Sequence, residues 1–254
     1  MISVLQAVVL GLIQGVTEWL PVSSSGHLVL AQKVFGLSAP ILFDLLLHVA
    51  TLLVILFVFR TDIIDIIRAF YKFDHKSKEF KTGLFIILAN IPILLIGYFL
   101  QSYVEQAFSS VFVVGLGLLF TGTLLFFSDR RKSEQMLDSR SSLIIGIFQG
   151  LAVFPGVSRS GATISAARIQ GIPQADAARF SFLMVIPAFV GAAFLKFRGA
   201  SLEIFNISYL AGFLVAIIVS YFALNWLLKI VKEKKLHYFS YYCWLLGLVV
   251  LILF

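Results

Sequence analysis

The chain has 254 residues, of which 60% are hydrophobic and only 13% charged, with a mean hydropathy of +0.99. That composition lies outside the soluble globular range and leaves no room for a separate water-soluble domain, so residues 1–254 read as one membrane domain. The net charge of +7 could suit nucleic acid, but Lys and Arg fall in loops between apolar runs, where membrane orientation accounts for them, and no nucleic-acid partner is expected.

In chain order, residues 2–20 are apolar but break at Pro21, and the apolar pattern resumes from Leu28 to about Leu37. Each arm is short or polar for a crossing, which predicts a re-entrant helical hairpin whose irregular tip lines a cavity. Residues 41–59 form the first span and carry Asp44 and His48 one turn apart on a shared face. A polar, partly amphipathic connection over 60–82 follows, rich in Lys and Arg and expected on the cytoplasmic side. Spans over 84–100 and 111–127 are joined by QSYVEQAFSS, which has no Lys or Arg and suits the outer face. The next cytoplasmic loop holds Arg130, Arg131, Lys132 and Arg140. From Leu143 the hairpin signature recurs, breaking at Pro155 and Gly156. Spans over 181–198, 208–228 and 240–254 end the chain, with Lys229, Lys232, Lys234 and Lys235 cytoplasmic before the last.

The two hairpins are copies. A shift of 135 positions aligns GLIQGVTEWLPVSSSG at Gly11 with GIFQGLAVFPGVSRSG at Gly146, without a gap and with seven of sixteen positions identical. The matches are mostly Gly, Gln and Ser, whereas chance likeness between apolar segments would match Leu and Val. Three spans separate the hairpins, an odd number, so the second enters from the opposite face. The expected architecture is all-α and polytopic, with two inverted-topology repeats, about 1–135 and 136–254, each a re-entrant hairpin plus three spans. Gly11 with Gly15, and Gly146 with Gly150, would let each hairpin helix pack closely on a neighbour.

Ionisable groups at membrane depth are costly and point to function. The second tip, PGVSRSGAT, offers Ser158, Arg159, Ser160 and Thr163 at the start of a helix, a combination suited to phosphate. The first tip offers Ser23, Ser24 and Ser25, with His27 near enough to act as acid or base. Gln14 and Glu18 lie one turn apart on one face. A carboxylate there can take a proton, hold a divalent cation, or both. Together these groups can make up a phosphoryl-transfer site. Serines at a membrane break also satisfy freed backbone groups, and that alternative stays open for Ser23 and Ser25. Asp44 and His48 read as support for the site. Arg168 and Arg179 read as cavity or interface charges, paired with Asp176 or Asp44.

The pairing of QGVTEWLPVSSSGH with PGVSRSGAT closely resembles the undecaprenyl-pyrophosphate phosphatases, whose signatures are Glu or Gln, three residues, Glu, and a PGxSRSxxT box. The likeness extends through FDLLLH at Phe43–His48 and ARFSFLMVIPA at Ala178–Ala188. It departs in the neutral Gln14 at the first motif position and in Ala50, where glycine is expected. The resemblance implies removal of the terminal phosphate from a C55 polyprenyl pyrophosphate in the bacterial cytoplasmic (inner) membrane, and a link to bacitracin resistance. It also implies dependence on Mg or Ca ions, with Glu18 and Gln14 binding metal or substrate. By the same likeness His27 assists proton transfer, Ser24 is the candidate nucleophile and Arg159 clamps the pyrophosphate. Ser23, Ser25, Ser158, Ser160 and Thr163 are the further substrate-binding candidates. A metal-activated water is an alternative nucleophile. Lipids surround the protein, and a homodimer is compatible with the sequence.

Two rival classes share features with this chain. SSSGH resembles the PSGH element of type 2 phosphatidate phosphatases, but that class needs a histidine where this chain has Ser165. A polyprenyl-phosphate flippase or transporter would use the same repeats and midplane breaks.

Overall fold

A computed structural model describes residues 2–37, 40–128, 135–197, 206–233 and 235–254. Arg130, Arg131, Lys132 and Lys234, assigned above to cytoplasmic loops, lie outside the described residues. The described residues form helices and connections only, so the protein is an all-α, multi-pass membrane protein.

Helices α1 (Val4–Thr17) and α2 (Ser24–Val34) flank the first break, and α8 (Ser139–Leu151) and α9 (Arg159–Ile169) flank the second. Each pair is punctuated by side chains that satisfy exposed helix-end amides. Ser3 and Gln6 form a reciprocal capping box at α1, as Asp138 and Ser141 do at α8. Two hydrogen bonds from Ser141, one from its hydroxyl and one from its backbone N–H, hold the Asp138 carboxyl below the usual range. Ser23 caps α2 by accepting the Gly26 N–H at 3.2 Å, and Ser158 caps α9 by accepting the Gly161 N–H at the same distance.

Between the hairpins lie α3 (Ile41–Val58), α4 (Arg60–Tyr71), α5 (Lys78–Phe99), α6 (Gln101–Phe108) and α7 (Val111–Ser128). After the second come α10 (Gln174–Phe197), α11 (Ile207–Lys232) and α12 (Tyr238–Leu253). Two of the connections are themselves helical. The polar segment after Phe59 is helix α4, turned 73° from α3, with Asp62 and Arg68 on a polar face and Ile64 and Ile67 exposed. Within QSYVEQAFSS, Gln101–Phe108 form the short helix α6. The sequence predicts six spans. Among the described residues α5, α7, α10 and α11 are long and apolar enough to cross alone, and the bent α3–α4 pair is so only when its two helices are counted as one span. Helix α12 has 16 residues, short of the roughly 20 that a span needs.

The glycine pairs pack as expected, and they do so across the halves. Helix α1 lies on α11, with Gly11 against the backbone of Gly212 and Gly15 against Ala216 to Ser220. Helix α8 lies on α5, with Gly146 against the Ala89 backbone and Gly150 against Ile96. Each hairpin thus leans on a helix of the other half. A side chain at Gly146 would meet backbone, which cannot rotate away. Gly146→Leu is therefore expected to cost about 2 kcal/mol or more, whereas Gly191→Leu, where no atom lies within 4 Å, leaves stability near wild type. Thermal unfolding in detergent reads the difference.

The two tips turn differently. Position 156 is glycine at φ +91°, pressed against the Val114 backbone. Its counterpart in the first tip is Pro21, whose ring holds φ near −65° and forbids that turn. The left-handed residue there is Ser23, at φ +69°. Thr121 of α7 secures the second tip: its Oγ1 accepts the Ser158 N–H at 2.9 Å and lies 3.2 Å from the Gly156 carbonyl.

Candidate active site

The two tips meet at Glu18, which ends α1. Its N–H still bonds to Gln14 O, so the two side chains keep helical spacing and converge. Gln14 Nε2 donates to Glu18 Oε2 at 2.9 Å, and the Ser24 hydroxyl donates to the same oxygen at 2.6 Å. The guanidinium of Arg159, at the first turn of α9, pairs with the other oxygen, Oε1. Side-chain exposures of 3% for Glu18 and 15% for Arg159 put this pair inside the protein. Such burial is tolerable for charges only when they are matched and hydrogen-bonded.

Aromatic and imidazole groups complete the surround. The Phe189 ring of α10 lies 4.5 Å beneath the Arg159 guanidinium carbon, a cation–π contact. His48 packs edge-on against the same ring and brings Nε2 to 3.8 Å from Glu18 Oε2.

Other candidates sit elsewhere. His27 Nδ1 is 2.8 Å from the Ser23 carbonyl and Nε2 is 2.7 Å from the Tyr242 hydroxyl. A carbonyl only accepts, so Nδ1 carries the proton and Nε2 accepts from Tyr242. Both nitrogens of His27 are engaged away from Glu18. Ser23 and Ser25 lie 3.3 Å apart by their hydroxyls, and Ser158 and Ser160 repeat that spacing. Ser160 also reaches the Leu20 carbonyl, a strut between the tips. Thr163 bonds to Arg159 O and, at 2.6 Å, to Ser181. Ser23, Ser158, Ser160 and Thr163 are buried, with their hydroxyls hydrogen-bonded within the chain.

The shared face of Asp44 and His48 holds, but their side chains do not pair: the Asp44 carboxylate accepts the Gln32 amide at 3.1 Å, and His48 Nδ1 bonds to the Asp44 backbone carbonyl. The expected partners of the two further arginines are corrected. Arg179 pairs with Asp62, because the bend at Phe59 swings α4 toward α10, and Arg168 bonds to Ile172 O.

Residues 7–249 match the family model described as bacitracin resistance protein BacA. The chain belongs to this family. Relatives named undecaprenyl-diphosphatase include one from Korarchaeum cryptofilum, 40% identical over 258 residues and covering 98% of each chain. Another, from Carboxydothermus hydrogenoformans, is 40% identical over 259 residues, covering 98% of this chain and 96% of the relative. A third, from Desulfosudis oleivorans, is 42% identical over 269 residues, covering 97% of each. The match to the BacA family spans both hairpins, so it takes in every residue gathered around Glu18.

Four residues of this BacA-family site escaped the sequence reading: Phe189, Tyr242, Thr121 and Gln32. Phe189 follows the helix-interior Pro187, a usable signal in hindsight. Tyr242 is 215 positions from His27, and nothing local marks it.

Proposed function

We propose that this membrane protein removes the terminal phosphate from undecaprenyl diphosphate, yielding undecaprenyl phosphate and inorganic phosphate. The observation that carries this reading is the placement of one buried carboxylate, Glu18, between the hydroxyl of Ser24 and the guanidinium of Arg159. A carboxylate accepting a hydroxyl proton is a base poised on a nucleophile. The arginine fork beside it suits phosphate oxygens.

In the step this supports, Arg159 turns from Glu18 to the pyrophosphate as it enters. Ser24 Oγ attacks the terminal phosphorus, its proton passes to the Glu18 carboxylate, and the bridging P–O bond breaks to release the polyprenyl monophosphate. Water then hydrolyses the phosphoserine, with Glu18 returning the proton. Of the first tip's hydroxyls only that of Ser24 lies on Glu18, whereas Ser23 and Ser25 bond to each other, which favours Ser24. His27, engaged with Ser23 and Tyr242, holds the turn instead of moving a proton.

Gln14 Oε1 is buried without a hydrogen-bond partner, next to the Glu18 carboxylate. That orphan oxygen and the carboxylate fit a divalent cation, Mg or Ca, held together with substrate phosphates. Bound there, the ion would neutralise pyrophosphate charge.

The exchange of hairpin partners between halves supports the inverted-repeat arrangement, in which both tips reach the site from opposite faces. The setting is the bacterial cytoplasmic membrane, with lipid against the exposed apolar faces of α5 and α12 and a homodimer compatible with them. The test is phosphate release from a polyprenyl pyrophosphate by purified protein, with and without EDTA. Release that EDTA suppresses is expected. An intact, metal-replete sample that releases none would sink the reading.

A further inference from the structure

One more donor faces the carboxylate at the centre of the site. His48, on α3, presents Nε2 to Glu18 Oε2 across 3.8 Å. Its other nitrogen, Nδ1, is 2.7 Å from the Asp44 carbonyl oxygen. That oxygen can only accept, so Nδ1 holds a proton, and it is the neutral form of the ring that leaves a lone pair on Nε2. In the neutral ring that lone pair faces Glu18 Oε2, which is 3% exposed and already accepts from Gln14 Nε2 and Ser24, so a cation seated between ring and carboxylate would take the place of the Gln14 amide hydrogen bond. Metal-binding histidines share this arrangement: one ring N–H donates to a carbonyl, which fixes the tautomer and aims the other nitrogen at the ion. The spacing fits too. Donors each at about 2.0–2.3 Å from one ion lie roughly 3 to 4.5 Å apart.

A third donor is at hand in Gln14, 0% exposed, whose Oε1 has no partner while Nε2 of the same amide bonds Glu18 Oε2. The surrounding charges leave the gap open to a cation. Arg159 sits on the far oxygen, Oε1, the Asp44 carboxylate is turned to Gln32, and Phe189 on α10 is apolar. Among the described residues no three His, Cys, Asp or Glu side chains converge, so the ion would draw the rest of its shell from water and phosphate oxygens.

We infer that His48 Nε2, Glu18 Oε2 and Gln14 Oε1 are the three protein donors of a single divalent-cation site. This rests on the phosphatase reading and alters the ion it favours. Imidazole is a better partner for transition metals than for Ca, so the site prefers Mn2+ over Ca2+, with Mg2+ a hard ion served mainly by the two oxygens.

The experiment titrates Mn2+ alone into purified protein without substrate, following free Mn2+ by electron paramagnetic resonance and coordinated nitrogen by pulsed detection. Wild type binds one Mn2+ with a directly bonded imidazole nitrogen, and Ca2+ competes weakly. His48→Leu abolishes the nitrogen signal, weakens Mn2+ at least about tenfold and narrows the gap between Mn2+ and Ca2+. His75→Gln, in the exposed turn after α4, changes none of these. Should Mn2+ bind equally well to wild type and His48→Leu, without nitrogen coupling, and be lost only in Glu18→Gln, His48 is no ligand, though the cation reading stands. Absence of Mn2+ binding to wild type overturns the site outright. Phosphate release by the same preparations reports separately on the phosphatase reading.

Discussion

Arg159→Ala is expected to lower turnover at least about a hundredfold and to destabilise the fold as well. The two losses have one origin. Arg159 is the counter-charge of Glu18 in the resting site, where the carboxylate is almost wholly buried, and in the proposed reaction it transfers its grip to the pyrophosphate. Removing one partner of a buried ion pair leaves the other uncompensated, at a cost of about 3–5 kcal/mol. Stability and chemistry then separate in a double variant. Glu18→Gln with Arg159→Met removes both charges, and replacing a whole buried pair is close to neutral, so the protein regains most of its thermal stability and still releases no phosphate. Arg159→Lys keeps the charge without the planar fork and falls between. Unfolding midpoints and phosphate release, measured on the same samples, check all three. Near-normal turnover in Arg159→Ala would remove this residue from the site.

Much of this arrangement is legible in the chain because the bilayer penalises it. Glu18, Arg159 and the Pro and Gly breaks stand out against apolar helices, since polar groups and irregular backbone survive there only with partners. The repeat then says where the partners are, as Gly11 and Gly146 occupy equivalent seams on α11 and α5. What stayed hidden depends on how helices cross rather than on what each contains. No proline or glycine marks the 73° turn between Val58 and Arg60, yet that turn decides that Arg179 meets Asp62 instead of Asp176 or Asp44. Asp44 and His48 share a face, but helical spacing cannot tell that the carboxylate faces Gln32 on another helix. Likewise the serine repeat marks both tips without dividing hydroxyls that cap a helix, such as Ser23 and Ser158, from the one that meets the carboxylate.

That division among adjacent serines yields the second large effect. Ser24→Ala is expected to reduce turnover at least about a thousandfold, since the residue lost carries the atom that forms the bond to phosphorus. Its neighbours behave otherwise. Ser25→Ala removes a hydroxyl whose one partner is Ser23 at 3.3 Å and stays within about tenfold of wild type, on the scale of a weak neutral hydrogen bond. Ser23→Ala removes the cap of α2, so it acts through stability, by about 1 kcal/mol, more than through chemistry. A direct readout accompanies the rates. Acid quenching during turnover should trap phosphate on the Ser24 peptide in wild type. If a water directed by Glu18 were the attacking group, Ser24→Ala would keep substantial turnover and no phosphopeptide would form. The reaction would then be a single displacement, leaving Ser24 a hydrogen-bond donor that orients the carboxylate.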